Sequence, residues 1–234
     1  MRFAAIETSG DWCSVALWIE GPQGAEIAAL ERRAPNRHSE LALPMLEDLF
    51  KKTKSNAGEL DAVAFGAGPG SFTGLRIACG LAQGLAFARD LPVIGISAFE
   101  ALAQEAAPES AAARVIACID ARMREVYYAA LERRGGPHAH SWREVVPGQC
   151  VAPEGAPPPP GEGWTGCGSG LQIYPEFLSG KILRKRPEIH PTAVAVAQLA
   201  APRLAAGEGV DAALATPVYL RDKVAFTRQE LENR

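Results

Sequence analysis

Three short stretches near the start of the chain are mostly apolar and are bounded by turn-forming residues. Such stretches predict β-strands, and the turns at 9–11 and 21–24 join them into an antiparallel meander. Further along, apolar residues recur twice at helical spacing, and an apolar strand follows each helix. The predicted elements are strands at 3–8, 13–19 and 27–33, a helix at 39–52, a strand at 61–66, a helix at 73–89 and a strand at 92–96.

The second half of the sequence repeats this order less regularly. The predicted elements are a helix at 97–107, strands at 114–119, 125–132 and 138–146, a helix at 170–179, a strand at 181–184 and a helix at 192–206. A proline-rich stretch at 153–161 predicts a stiff exposed loop. Two copies of βββαβαβ indicate an α/β protein of the actin-like ATPase (ribonuclease H-like) fold. We expect an N-terminal lobe at 1–103, a C-terminal lobe at 104–215, and a segment at 216–234 that packs back on the first lobe.

Composition narrows the class of protein. Hydrophobic residues make up 47% of the 234 residues and charged residues 22%, which is ordinary for a globular protein. A net charge of −3 argues against a chain whose main role is to wrap nucleic acid. No apolar run is long enough to span a membrane. Because the five cysteines form no Cys-x-x-Cys pair, disulfide frameworks and zinc ribbons are disfavoured, and we expect a cytoplasmic protein.

A glycine-rich stretch at 66–80 lies between a predicted strand and a predicted helix. Such turns either bind phosphate at the helix N-terminus or let two backbones approach closely. A P-loop requires lysine and a hydroxyl residue after its last glycine, but Leu75 follows Gly74 here. The dinucleotide-binding pattern fails because Ser71 stands where its third glycine belongs. The stretch therefore predicts a tight turn in which Ser71 or Thr73 caps the following helix.

Candidate catalytic residues are few. In actin-like phosphotransferases the turn after the first strand approaches nucleotide phosphates and magnesium. Here that turn offers Glu7, Ser9 and Gly10, and the matching turn of the second half offers Asp120, all weak candidates for cofactor binding. Glu7 is one methylene longer than aspartate and would displace a metal. No nucleophile elbow or metal-binding histidine pair on a helix is found, so we predict no catalytic residue, no metal and no cofactor.

The helix at 73–89 carries two stripes of small residues. Gly74, Ala78, Ala82 and Ala86 recur every fourth residue, and Gly80, Gly84 and Ala88 form a second stripe. Each interior glycine costs a helix about 1 kcal/mol relative to alanine, which close approach by another helix would offset. We therefore expect a partner to bind the helices at 39–52 and 73–89. The predicted interface residues are Leu41, Met45, Leu75, Ala78, Ala82 and Leu85.

Several segments, spread nearly end to end, resemble the TsaB (YeaZ) family. They are Ile6-Glu-Thr-Ser9, Cys13-Ser-Val-Ala-Leu17, Arg37-His-Ser-Glu40 with Leu43-Pro44, Gly68-Pro-Gly-Ser-Phe-Thr-Gly-Leu-Arg-Ile77, Ile119-Asp-Ala-Arg-Met123 with Glu125-Val-Tyr127, and Tyr219-Leu-Arg221. The resemblance implies an actin-like fold and a non-catalytic scaffold for the modification of tRNA with threonylcarbamoyl-adenosine. It also implies that the chain pairs with its catalytic paralogue TsaD through the first two helices.

The resemblance also implies partners, and the chain differs from the catalytic paralogue at two positions. An ATPase of the TsaE type joins the complex, the isolated chain forms a homodimer, and tRNA is reached only through the complex. The catalytic paralogue binds a metal through two histidines, but Ala98 and Leu102 occupy the matching positions here. The alternative functions are an actin-fold ATP-dependent phosphotransferase and a peptidase.

Overall fold

The protein folds into two lobes, each built on a five-stranded sheet. The structure is a computed structural model, and it describes residues 1–107, 113–135 and 140–221. The first half comprises β1 (Arg2–Glu7), β2 (Trp12–Gly21), β3 (Gly24–Arg33), α1 (His38–Thr53), β4 (Ala62–Gly68), α2 (Phe72–Phe87), β5 (Val93–Ser97) and α3 (Ala98–Ala106). Strands β1, β2 and β3 form the predicted antiparallel meander, and β4 and β5 extend it in parallel with β1.

The second half repeats this sheet. It comprises β6 (Arg114–Asp120), β7 (Val126–Arg133), β8 (Trp142–Val151), β9 (Trp164–Cys167), α4 (Gly170–Ile173), β10 (Ile182–Arg186) and α5 (Ala193–Ala205). The strand order β8-β7-β6-β9-β10 matches β3-β2-β1-β4-β5, with the same parallel and antiparallel pairs. The predicted actin-like fold is therefore confirmed.

The second half differs from the prediction in three details. Strand β9 was missed because it has only four residues, although Trp164 in it is fully buried. The helix predicted at 170–179 ends at Ile173, because Pro175 disfavours helical backbone at Tyr174. The third strand, predicted at 138–146, begins at Trp142 and continues through Pro147, which an edge strand tolerates. His138 lies outside the described residues.

The lobes share one hydrophobic core. Helix α5 packs on β1, β2 and β4 of the first sheet, and α3 packs on β6 and β7 of the second. Both helices thus lie between the sheets, where Phe3, Phe99, Val115 and Val196 are at most 1% exposed. Residues on both sides of position 103 contribute to this core. The division of the chain into lobes at 103 and 215 therefore stays a prediction. Among the described residues, no helix is both long and apolar enough to cross a membrane.

Candidate functional site: the β1–β2 turn and the outer helices

Glu7 ends β1 as a buried carboxyl group. It is 1% exposed, and its Oε1 accepts a hydrogen bond of 2.5 Å from the backbone N–H of Ser9. Its Oε2 has no hydrogen-bond partner among the described residues. Burial raises the pKa of Glu7, while the hydrogen bonds from Ser9 and the charge of His190 oppose the rise less strongly. A carboxyl group held in this way favours its neutral form, which is a poor ligand for magnesium.

The glycine-rich segment folds directly onto this turn. The N–H of Ser71 donates to the carbonyl of Ser9 at 2.7 Å, and the Thr8 hydroxyl donates to the carbonyl of Gly74 at 2.7 Å. A Cβ on Gly70 would lie 2.5 Å from the Ser9 carbonyl oxygen, and one on Gly74 would lie 1.9 Å from that of Thr8. These two glycines are thus required by the chain's own backbone. Ser71 caps α2, its hydroxyl accepting from Gly74 N–H, as one of the two predicted caps.

Asp120 ends β6 at the matching position of the second lobe. Its side chain is 10% exposed, and it accepts a hydrogen bond from the N–H of Arg122 and pairs with the Arg122 guanidinium at 3.0 Å. Its own N–H donates to the Ser169 hydroxyl at 3.1 Å. The carboxylate is therefore engaged by its own loop. Gly10, the remaining candidate, is exposed and makes no close contact that would require a glycine.

Metal ligands are not gathered anywhere in residues 1–107, 113–135 and 140–221. No group of three or more His, Cys, Asp or Glu side chains in these ranges could hold a metal ion. Ala98 and Leu102, which occupy the positions of the paralogue's histidines, are both 0% exposed, and Leu102 lies in the shared core. His138 and His140 would share one face of a strand, a spacing that could chelate a metal, but His138 lies outside the described residues.

Most of the predicted interface residues are buried within the chain, which corrects that prediction. Met45, Leu75, Ala78 and Ala82 are at most 2% exposed. The stripe that contains Ala78 and Ala82 packs on Phe65 and its neighbours in β1 and β4, so its small side chains let α2 approach its own sheet. The other two predicted residues, Leu41 and Leu85, are only partly exposed and border the core between α1 and the sheet.

The second small-residue stripe of α2 faces outward. Gly80 and Gly84 are exposed, and a Cβ built on either would find no atom of the described chain within 4 Å. On the adjoining helix α1, Leu43 is 43% exposed. We name this surface the outer helix face; its exposed residues are Leu43, Pro44 and Glu47 of α1 and Thr73, Gly80 and Gly84 of α2. Sequence periodicity found both stripes but could not tell which one faces the sheet.

Comparisons with known proteins agree on one family. The family model described as TsaD, tRNA N6-adenosine threonylcarbamoyltransferase, matches residues 31–146. The chain is 38% identical to the tRNA threonylcarbamoyladenosine biosynthesis protein TsaB of Escherichia coli, covering 97% of this chain and 98% of that protein. It is 35% identical to TsaB of Haemophilus influenzae, covering 97% of each.

A solved structure shows the same fold throughout. YeaZ from Pseudomonas aeruginosa superposes with a TM-score of 0.85 at 38% identity, covering 94% of this chain and 99% of that one. Agreement in sequence and in fold thus extends over both lobes. The chain belongs to the TsaB (YeaZ) family of tRNA threonylcarbamoyladenosine biosynthesis proteins.

Proposed function

We propose that the chain is a non-catalytic scaffold subunit, which binds and activates a TsaD-type catalytic subunit through the outer helix face. An ATPase of the TsaE type completes the complex, which acts in the cytoplasm and through which tRNA is reached. The isolated chain forms a homodimer through the same face. The names of its relatives, which place them in threonylcarbamoyladenosine biosynthesis, support the pathway. The family model that matches residues 31–146 supports descent from a common ancestor with the proposed partner.

The observation that carries the proposal is the position of Gly80 and Gly84. They lie one helical turn apart inside α2 and weaken that helix by about 1 kcal/mol each relative to alanine. Within the described chain nothing requires them, since a Cβ at either position would meet open space. A helix that packs against α2 at close range would use the missing side chains, because small residues let two backbones approach. The stripe therefore favours a helical partner.

The absence of a catalytic role is supported by the β1–β2 turn. The segment from Gly66 to Gly74 lies against the turn, held by a backbone bond from Ser71 to Ser9 and by the Thr8 hydroxyl, which donates to the Gly74 carbonyl. Glu7 is buried with a raised pKa, and Asp120 pairs with Arg122. Acid–base or phosphotransfer chemistry needs titratable groups that can reach a substrate. These groups are instead committed to the protein's own fold.

The alternatives are an actin-fold phosphotransferase and a peptidase. A phosphotransferase must bind MgATP by itself, so calorimetric titration of the isolated chain with MgATP separates it from a scaffold. We expect no heat of binding and no hydrolysis of ATP or peptides. Stoichiometric MgATP binding that is lost in an Asp120→Asn variant would favour the enzyme.

The proposed interface is tested by placing a long side chain on the outward stripe. A Cβ at residue 84 meets no atom of the described chain within 4 Å and the position is exposed, so the isolated Gly84→Arg variant should fold normally by circular dichroism. Its association with the TsaD-type subunit should weaken at least about tenfold, since a charge and a long side chain would be buried at the contact. Gly180→Arg is the matched control, because Gly180 is also exposed in open space but lies far along the chain in the second lobe.

The same variants connect binding to function. Reconstitution with the TsaD-type and TsaE-type subunits, tRNA and the threonylcarbamoyl donor should lose activity with Gly84→Arg. Excess variant chain should restore activity if the defect is one of association. Unchanged association by Gly84→Arg would overturn the interface. A variant of Ser71 or Asp120 that abolishes turnover in a fully assembled complex would overturn the non-catalytic role.

A further inference from the structure

The loop that joins β6 to β7 has an unusual backbone. Arg122, Met123 and Arg124 have φ values of 60°, 54° and 61°. Side-chain-bearing residues occupy this left-handed region infrequently, and three in succession require strong support from their surroundings. We therefore expect contacts from other residues to stabilise this loop.

Part of the support comes from the loop itself. The Asp120 carboxylate accepts the N–H of Arg122 at 2.9 Å. The N–H of Ala121 donates to the carbonyl of Glu125 at 3.0 Å, and the N–H of Glu125 donates to the carbonyl of Arg122 at 3.0 Å. These local bonds close the loop at its base. The carbonyl group of Ala121 takes no part in them and accepts instead from a group elsewhere in the chain.

Arg221 supplies that group. Its Nη1 donates to the carbonyl of Ala121 at 2.8 Å, and its Nη2 lies 3.4 Å from the carbonyl of Arg122 and also binds the Glu125 carboxylate. The Arg221 side chain is only 12% exposed. A planar guanidinium can engage two carbonyls and a carboxylate at once, which an ammonium group cannot do in the same plane.

The residues just before Arg221 are anchored to the other lobe. The N–H of Val218 donates to the carbonyl of Ala67 in β4 at 2.7 Å. The Tyr219 hydroxyl accepts from Arg76 of α2 at 3.2 Å, and its ring lies 5.4 Å from that of Phe72. Four consecutive residues therefore connect the amino end of α2 with the loop of the second lobe.

These residues also occupy the cleft between the lobes. The space enclosed by Pro69, Gly70, Tyr127 and residues 218–221 has a volume of about 20 Å³. A cavity of that size holds roughly one water molecule. A Cβ on Gly68 would lie 2.8 Å from the Val218 carbonyl oxygen, so the segment fits closely against β4.

We propose that residues 218–221 form a clasp across the cleft, in which Arg221 is a positioning residue that keeps residues 122–124 in their left-handed conformation. The clasp ties the amino end of α2 to the second lobe and fills the space through which the lobes would otherwise open. Two segments about a hundred residues apart in the sequence, Asp120–Glu125 and Tyr219–Arg221, thus form one structural unit.

The test is hydrogen exchange of the full isolated chain, comparing Arg221→Gln with the unaltered protein. The amides of Ala121 and Glu125 should exchange about tenfold faster or more, as expected when a hydrogen bond from a charged group is lost. Amides of β1 should be unchanged, which shows that the variant is folded. Arg221→Lys keeps the charge without the planar fork and should recover only part of the protection. Arg184→Gln removes an exposed arginine of β10 and is the matched control.

A second variant tests whether Arg221 acts through backbone strain. Arg221→Gln should lower the melting temperature. Because glycine adopts the left-handed region readily, adding Met123→Gly to this variant should restore part of the lost stability. Ala121→Gly, at a neighbouring position outside the left-handed run, should not restore it. Unchanged exchange in Arg221→Gln, or equal rescue by the two glycines, would overturn the clasp. Because these measurements use the chain alone, they are separate from the test of partner binding.

Discussion

Glu7 and Gly66 fit together on the neighbouring parallel strands β1 and β4 only because residue 66 has no side chain. A Cβ on Gly66 would lie 1.8 Å from Oε2 of Glu7, far inside van der Waals contact. The first glycine of the glycine-rich segment therefore accommodates a buried carboxyl group of the chain itself. This pair explains how a glutamate can end β1 without reaching out of the fold.

A methyl group at residue 66 should destabilise the protein. We expect Gly66→Ala to lower the free energy of unfolding by about 1–3 kcal/mol, because the buried Glu7 side chain must shift and give up its hydrogen bond from Ser9. The double variant Gly66→Ala with Glu7→Ala should recover much of this loss, since the clashing atoms are gone. Gly10→Ala is the control and should be near neutral, because a Cβ there meets no atom within 4 Å. Additive effects of the two core changes in urea denaturation would contradict the pair.

Replacing Glu7 by glutamine should change how stability depends on pH. Burial raises the pKa of Glu7 above the ordinary 4.5, so folding favours the protonated form. That stability is fully present below about pH 4.5 and is lost as the pH rises through the folded-state pKa. Glutamine cannot ionise, so Glu7→Gln should raise the melting temperature at pH 8 by more than at pH 4.5. A gain of about 1 kcal/mol corresponds to roughly 2–4 °C in a chain of this size. An equal effect at both pH values would count against a raised pKa.

Much of the fold could be predicted from the sequence because its signals are local. The apolar runs of β1 and β2, the turn between them and the cap at Ser71 depend on neighbouring residues. The orientation of α2 could not be predicted in the same way. Residues 78 and 82 are alanines and residues 80 and 84 are glycines, so both stripes are small and side-chain size does not reveal which one packs on the sheet.

The surroundings of the candidate site depend on contacts between distant residues. Gly66 meets Glu7 from 59 positions away, the difference between 66 and 7, and Arg221 reaches Glu125 from 96 positions away. Neither distance follows from spacing or composition. The sequence could identify the β1–β2 turn and the glycine-rich segment as unusual. Only the register of β1 with β4 shows that Glu7 lies against Gly66.

His190 links the two lobes in a way that should respond to pH. Its Nε2 lies 3.0 Å from the Glu31 carboxylate of β3, and its ring stacks on Trp12 of β2 at 4.6 Å. Burial lowers the pKa of His190, but the hydrogen bond and charge of Glu31, with smaller contributions from the Glu188 carbonyl and the Glu105 charge, together outweigh burial, so the pKa lies above its ordinary value. The pair's stability is thus fully present below about pH 6.5 and is lost as the pH rises through the folded-state pKa.

The His190→Gln variant should therefore lose stability at pH 6 and little at pH 9. We expect a loss of at most about 1 kcal/mol, because both side chains are partly exposed. Glu31→Gln should give a similar loss, and the double variant should lose little more than either single change. Thermal melts at the two pH values measure this. A larger loss at pH 9 than at pH 6 would have the wrong sign.

The two stripes of α2 should respond in opposite ways to a large side chain. Ala82 is 0% exposed and packs on the first sheet, so Ala82→Arg would bury an unpaired charge and should unfold the chain. Gly84→Arg should leave the circular dichroism spectrum unchanged, since residue 84 faces open space. A folded Ala82→Arg monomer that no longer binds its partner would contradict the orientation of α2.

Alanine at Gly80 and Gly84 separates the stability of the chain from its association. Inside a helix each replacement should raise the free energy of unfolding of the isolated monomer by up to about 1 kcal/mol, because alanine restricts the unfolded backbone and meets no neighbour. The same methyl groups should weaken binding of the TsaD-type subunit if a helix packs against this stripe. Urea denaturation of the dilute chain and calorimetric titration with the partner measure the two effects. Gly180→Ala, outside any helix, should leave the partner's affinity unchanged. A more stable chain with weaker affinity for the partner would show that the position is glycine because of the partner. A more stable chain that binds as tightly as before would place the interface elsewhere.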